Sequence, residues 1–296
     1  MEKHITVLER ETVEGLNINP SAIIVDATLG SGGHSQRVLE LLGDEGRLIA
    51  LDADKTAIMA LEDTLGTDPR VTLVHQNFRN LGDALQKLNI GNVYGILADL
   101  GWRIEQFDGG GKGFSFKVEE PLLMTFGDPK DYSFTAHTIV NEWDEEVIKN
   151  ILKGYGEERF SGRIARHIVE AREEGDIATS TQLAAIVENA VPRFYKMGKI
   201  HPATRTFQAL RIAVNDELEA LELFIKEAYQ HLMPQGRLAI ITFHSIEDRI
   251  VKQTFKQLQA EEQGIVITKK PITATEEERM SNPRARSAKL RIFEKK

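Results

Sequence analysis

The 296-residue chain contains no cysteine. That excludes disulfide frameworks, thiolate nucleophiles and Cys-based zinc sites in one step. It also fits a reducing compartment, and a cytoplasmic location is expected. No run of eighteen apolar residues occurs, so neither a membrane-spanning helix nor a membrane partner is expected. The first residues, Met1-Glu2-Lys3-His4-Ile5-Thr6, lack the apolar segment of a signal peptide. Positive charge is in the minority: 37 Lys and Arg face 45 Asp and Glu, a net charge of −8. A protein that coats nucleic acid through a global basic field is thereby disfavoured, whereas a local basic face is not. The hydrophobic share of 41% and charged share of 28% are those of an ordinary globular chain.

What the chain does have is alternation. Ala22-Ile23-Ile24-Val25-Asp26-Ala27 is a short β-branched apolar run that ends in Thr28-Leu29-Gly30-Ser31-Gly32-Gly33-His34. Apolar residues then recur at helical spacing from Ser35 to Leu42. The pattern reads strand, glycine turn, helix. Further strands are predicted at Gly46–Asp52, Val71–His75 and Val93–Asp99, with helices at Thr56–Leu65 and Leu81–Leu88. Such alternation makes a doubly wound, mostly parallel α/β sheet with right-handed crossovers. Residues 101 to 127 hold six glycines and read as a functional loop or lid. From 132 to about 200 only helical patterns follow, at Glu145–Leu152, Glu157–Glu173 and Thr181–Ala190. One long helix is predicted from Thr204 to His231 and a strand at Arg237–Phe243. Ser245-Ile246-Glu247-Asp248 has capping-box spacing and opens a helix at Ile250–Leu258, and the last strands fall at Ile265–Thr268 and Ser287–Phe293. The expected division is an α/β domain of residues 1–105 and 204–296, interrupted at 106–203 by the lid and a helical, substrate-binding insertion.

The sharpest chemical signal is Asp26-x-Thr28-x-Gly30-x-Gly32-Gly33, an acid followed by a glycine loop. Glycines directly after a strand let the backbone turn tightly and approach a ligand closely; an ordinary strand-to-helix turn is the competing reading. Asp52 ends the next strand twenty residues after Gly32, where an acid reaches ribose hydroxyls in nucleotide-binding sheets. The third glycine of the pyrophosphate fingerprint is replaced by Ser35. A nucleoside cofactor without phosphates therefore fits better than a dinucleotide, and S-adenosylmethionine is the candidate. Phe78, just past the third strand, is placed either for its adenine or for the core. Asp99 closes the fourth strand, beside the crevice expected at the topological switch point, where it can hold the cofactor or orient an acceptor amine. A nicotinamide dehydrogenase is disfavoured by the missing glycine and by the lack of an evident hydride-transfer His/Lys pair.

On the acceptor side, Phe207, Leu210, Val214, Leu218 and Leu221 form one helical stripe, and Thr204, Gln208, Arg211 and Asn215 form a second about a quarter-turn away. The polar stripe either lines a cleft for an RNA backbone or base edge, or is a seam between domains. Arg159, Arg163 and Arg166, at i, i+4 and i+7, share a face that binds phosphates or pairs with Glu158, Glu170 and Glu173. From Arg284 to Lys296 there are six basic residues, Arg284 and Arg286 among them, and one acidic residue. That stretch is either a solvated tail or a phosphate-binding patch.

These segments together resemble the bacterial 16S ribosomal RNA cytosine-N4-methyltransferases, the RsmH or MraW family. The resemblance is carried by VDATLGSGGHS, LDAD, NF, ADLG, GFSF, YGEERFSGRIARHI, HPATRTFQALRIAVNDELEAL, GRLAIITFHSIEDRIVK and NPRARSAKLR, from His4 to nearly the C-terminus. It implies a class I, Rossmann-like methyltransferase fold with an inserted all-helical subdomain. It implies methylation of the exocyclic amine of a decoding-centre cytosine in 16S rRNA of the small ribosomal subunit. Cofactor positions carry over to Gly32, Gly33, His34, Asp52, Phe78, Asp99 and Gln106. The two most family-specific segments add His201, Arg205 and His244 to the substrate-binding candidates. No metal ligand is assigned, and a homodimer stays open. The chain departs from the family pattern at Trp102-Arg103-Ile104-Glu105, where two serines are replaced, and at Leu122-Leu123-Met124-Thr125-Phe126, where an Asp and an Arg become Leu123 and Thr125. Asp99 is expected to orient the amine and Trp102 to stack on an extruded base or pack under the lid. The departures motivate an alternative, a non-catalytic or retargeted RNA-binding or ribosome-assembly factor on the same fold.

Overall fold

Continuous apolar runs, buried on both faces, are the physical origin of the sheet. The computed structural model describes residues 5–101 and 110–296. Helix α1 (Glu9–Gly15) leads into β1 (Ile23–Asp26), α2 (Gly33–Leu39), β2 (Arg47–Asp52), α3 (Lys55–Glu62), β3 (Val71–His75), α4 (Leu81–Lys87) and β4 (Val93–Asp99). An insertion follows with helices α5 (Ala136–Glu142), α6 (Glu145–Gly156), α7 (Ser161–Glu174), α8 (Ser180–Ala190), α9 (Arg193–Lys196) and α10 (Thr204–Asn215). The chain returns through α11 (Glu217–His231), β5 (Leu232–Thr242), α12 (Ser245–Ala260), β6 (Gly264–Val266), α13 (Glu276–Ser281) and β7 (Lys289–Lys295).

The strands form one seven-stranded sheet in the order β3-β2-β1-β4-β5-β7-β6. β1 to β5 pair parallel, and β7 is antiparallel to both β5 and β6. Successive residues on each strand point to opposite faces. Ile24, Leu48, Ala50, Leu97, Ala239 and Ile241 therefore enter one core, with Val38 and Ile58 from the helices. Val25, Ile49, Leu51, Ile96, Leu238 and Ile240 enter the other, with Leu85, Phe224 and Phe255. A sheet covered on both faces needs the continuous apolar runs seen in the sequence. Truncating one such side chain, Ile240 for example, to Ala removes about 2–5 kcal/mol. The order reverses between β1 and β4, which makes their carboxyl ends the topological switch point. Among the described residues no helix is long and apolar enough to cross a membrane.

The chain divides into two compact units, 1–101 with 218–296, and 102–217. The second boundary differs from the expected 203/204. Asp216 adopts φ 52, a left-handed conformation that stops the helix, so the predicted Thr204–His231 helix is two helices, and α10 lies in the inserted unit. That unit has its own core, built from Ile139, Ile148, Leu152, Ile164, Ile168, Leu183, Val187, Phe207 and Leu210. A second difference lies at the predicted Glu157–Glu173 helix. Glu157 is left-handed at φ 48, the backbone turns a corner, and α7 begins only at Ser161.

Candidate cofactor and catalytic site

Three parallel strands end in aspartates: Asp26 on β1, Asp52 on β2 and Asp99 on β4. Asp26 pairs in register with Ala50 and Leu97, so β1 stops two residues short of each neighbour. The glycine loop occupies that gap. Leu29 N–H donates to Leu51 O at 2.8 Å, and Gly32 N–H donates to Leu29 O at 2.8 Å. Gly30 and Gly32 have φ of +54° and +82°, a region that penalises any side chain. A Cβ on Gly30 would meet only Thr28 O, at 3.9 Å, so its backbone faces open space. Gly32 is different: a Cβ there would lie 2.8 Å from Leu65 Cδ1. A Cβ on Gly33 would overlap Thr6 Oγ1, so this glycine is required by packing.

Asp52 ties the loop to β2. Its Oδ2 accepts Gly30 N–H and its Oδ1 accepts Asp54 N–H, both at 2.8 Å. Asp99 is held similarly. Its Oδ1 accepts Gly101 N–H at 2.8 Å, and its own N–H donates to Thr28 Oγ1 at 2.6 Å. Both aspartates are half-buried. Gly101 cannot carry a side chain, since a Cβ would sit 2.8 Å from both Asp99 Oδ1 and the Phe243 ring.

Asp26 is fully buried, accepts Ser35 Oγ–H at 2.7 Å and Thr28 N–H at 3.1 Å. Burial pushes its carboxyl above the ordinary aspartate value, against the opposing pull of His34 and these hydrogen bonds. Ser35 thus explains the missing third glycine: its hydroxyl holds the acid beneath the loop. The sequence reading placed Asp26 at the head of the glycine motif without assigning it a contact; the bond from Ser35 gives it one. His34 is also buried, and burial lowers its pKa, so the ring is neutral at pH 7. Its Nε2 lies 3.1 Å from Val7 O, an acceptor, so Nε2 carries the proton and the Nδ1 lone pair faces Asp99 Oδ2 at 4.0 Å. Phe78 is half-buried, with one edge packed on Phe224 at a centroid distance of 5.3 Å. Trp102 and Gln106, with the altered segment 102–105, lie outside the described residues.

In the inserted unit the polar stripe of α10 is engaged internally. Gln208 donates to Tyr155 O at 3.1 Å, Arg211 makes a two-pronged pair with Glu217 at 2.8 and 2.9 Å, and Asn215 donates to Met124 O and Arg211 O while accepting Phe126 N–H. Thr204 opens the helix, and Arg205 donates to Glu157 O at 2.8 Å. The stripe is a seam inside one unit. Asn215 clamps the altered 122–126 segment, in which Leu122, Met124 and Thr125 are buried. His201 stacks on Phe116 at 4.3 Å and pairs with Glu188 at 2.6 Å. Arg159 precedes α7 and does not share its face with Arg163 and Arg166, which are exposed.

In the α/β unit His244, rather than Ser245, caps α12. Its side chain accepts Glu247 N–H, and Glu247 accepts Phe243 N–H at 2.9 Å. Asp248 is thereby left to bind Arg291 at 2.6 Å and Lys289 at 3.2 Å. Burial alone would raise Asp248, but the hydrogen bonds from Arg291 and Lys289 prevail and hold it below the usual carboxylate range. The basic C-terminal stretch is therefore largely structural: β7 lies between β5 and β6, and Lys295 donates to Tyr229 O and Leu232 O. Arg286 is exposed and Arg284 half-buried on the turn before it.

The full chain, residues 1–296, matches the family model described as the MraW methylase family. A protein of Clostridium botulinum named ribosomal RNA small subunit methyltransferase H is 44% identical, with 99% of each chain covered. One of the same name from Brevibacillus brevis is 44% identical over 99% of this chain and 98% of that one. A solved rRNA methylase from Streptococcus thermophilus overlaps 99% of both chains at 13% identity and a TM-score of 0.42. The order and directions of this chain's own strands, not that overlap, fix its fold class. The chain belongs to the MraW methylase family, S-adenosylmethionine-dependent methyltransferases with a Rossmann-like sheet.

Proposed function

We propose that this protein methylates the exocyclic N4 of a decoding-centre cytosine in 16S rRNA, using S-adenosylmethionine, in the cytoplasm. The observation that carries the reading is the convergence of Asp52, the open backbone of Gly30, and Asp99 at the switch point of the sheet. The residues fit the cofactor. Asp52 offers carboxylate oxygens to ribose hydroxyls, the loop backbone at Gly30 admits the methionine portion, and the half-exposed Phe78 faces the adenine. Gly32, Gly33 and His34 keep the loop in this shape, and Gln106 is assigned to cofactor binding by the family resemblance alone. S-adenosylmethionine, when bound, supplies an electrophilic methyl group.

A cytosine N4 is a poor nucleophile because its lone pair is delocalised into the ring. Alignment should therefore supply much of the rate. Asp99 accepts a hydrogen bond from the amine, aims its lone pair, and takes the proton released as the new N–C bond forms. Gly101 N–H and Thr28 Oγ1 keep Asp99 in one orientation. Trp102 stacks on the extruded base. Arg159, Arg163, Arg205, Arg284 and Arg286 hold phosphates. His201, Thr204, Gln208, Arg211 and Asn215 act by shaping the substrate-binding insertion. The altered 122–126 segment favours a second reading, a non-catalytic assembly factor that binds the small subunit. Small subunits lacking the modification, incubated with this protein and labelled S-adenosylmethionine, should gain label at a cytosine N4. Label at another atom retargets the enzyme, and binding without label selects the second reading.

A further inference from the structure

Residues 191–211 carry five basic side chains, Arg193, Lys196, Lys199, Arg205 and Arg211, and no acidic one, in a chain whose net charge is −8. Within the same stretch three large apolar side chains stand in solvent: Phe194 is 65% exposed, Met197 79% and Ile200 51%. Lysine, arginine and apolar residues alternate here over eight positions, and Arg193, Lys196 and Lys199 are themselves exposed.

The underside of this knuckle is fixed. Tyr195 Oη donates to Glu158 at 2.6 Å, and buried Glu158 also accepts Phe160 N–H at 2.8 Å. The Phe160 ring packs against Tyr195 at 4.9 Å and against Phe194 at 6.1 Å. The Arg159 guanidinium lies 5.4 Å from the Tyr195 ring centre and 5.9 Å from that of Phe160. Phe194 is thus supported from below, with most of its surface left in water. This exposure is unfavourable for the free protein and calls for a partner.

We propose that the knuckle is a platform for single-stranded RNA: an unpaired base stacks on Phe194, Met197 and Ile200 extend the apolar surface, and Arg159, Arg193, Lys196 and Lys199 hold the flanking phosphates. The proposal rests on the RNA reading above and deepens it by assigning an anchoring surface to the insertion itself. Three physical points favour RNA over a protein partner. Aromatic faces bind any base, and losing one such stack typically weakens binding about tenfold or more. Lysine is depleted from protein–protein interface centres, whereas here it is interleaved with the apolar residues. The exposed charges of Arg193, Lys196 and Lys199, with no acidic residue among positions 191–200, complement a phosphate chain.

The test uses the full-length chain, naked small-subunit RNA and intact small subunits, at two or more salt concentrations. Phe194→Ala should weaken RNA binding about tenfold without changing the salt slope, raise KM for RNA and leave kcat within about twofold. Phe194→Trp, which keeps a stacking face, should restore affinity. Lys196→Glu with Lys199→Glu should weaken binding and lower the magnitude of the salt slope, by about 0.7 for each single-strand phosphate that is no longer neutralised. Wild-type RNA affinity in Phe194→Ala overturns the platform while leaving the methyltransferase reading intact. A wild-type chain that binds no small-subunit RNA overturns both. Weaker binding to intact subunits with unchanged binding to naked RNA replaces RNA with a ribosomal protein. Loss of self-association with unchanged RNA affinity replaces it with a second copy of this chain.

Discussion

Polar side chains bind backbone in both units, at strand ends in the α/β unit and along a helix in the insertion. In the α/β unit, Asp26, Asp52 and Asp99 stand at the ends of neighbouring strands, and two of them are half-exposed above a glycine loop. In the insertion, Gln208, Arg211 and Asn215 bind carbonyls and a carboxylate of the insertion itself. A parallel sheet satisfies its backbone through strand pairing, so side chains at strand ends are available for ligands. A helical unit with long irregular segments must satisfy those segments by other means, and polar side chains on its helices do so.

The contrast is breakable. Asp99→Ala should cost the largest factor, about 10³ in single-turnover methyl transfer, while cofactor affinity changes by less than about fivefold. Unchanged turnover would remove Asp99 from the chemistry. Asp52→Ala should act on binding instead, weakening the calorimetric cofactor Kd about 10- to 100-fold, since it removes both a charged hydrogen-bond acceptor and the tie to Gly30. A cofactor Kd equal to wild type would refute the ribose role. In the insertion, Asn215→Ala should act on stability, by about 2–3 kcal/mol in urea unfolding, because Phe126 N–H and Met124 O lose the side chain that binds both. Wild-type stability with a raised KM for RNA would mean that Asn215 touches substrate and that the contrast fails there.

The smallest effect concerns acid. Asp248 has a folded pKa below its unfolded value, which is about 3.9, so the folded state binds fewer protons. Its contribution is complete above the unfolded value and is lost as pH falls through the folded one. Asp248→Asn should therefore flatten the acid limb of the stability curve. An unchanged slope below about pH 4 would show that the pair with Arg291 is not linked to folding.

Much of the α/β unit was readable. Val71–His75 and Val93–Asp99 are strands at the predicted bounds, because a sheet buried on both faces demands uninterrupted apolar runs. The strand-end positions of Asp52 and Asp99 were legible because each acid closes an apolar run. Ser35 was seen only as a missing glycine; its bond to Asp26 spans the loop and leaves no local trace. In the insertion, Glu157-Glu158-Arg159 has good helical propensity, yet it forms a corner because Glu158 is drawn inward to Tyr195, 37 residues away. The cap of α12 falls on His244 rather than Ser245, and Asp248 is engaged instead by Arg291 of β7.

By itself the sequence determined the alternation of strand and helix, the glycine bend and the acids that close β2 and β4, since each follows from local periodicity and backbone sterics. Tertiary structure alone decided which polar groups became ligands of the protein's own backbone, where the chain broke at Glu157 and Asp216, and which basic residues of the last strand were neutralised. Those outcomes depend on partners distant in sequence, and burial sets the strength of each pairing only after the fold has brought them together.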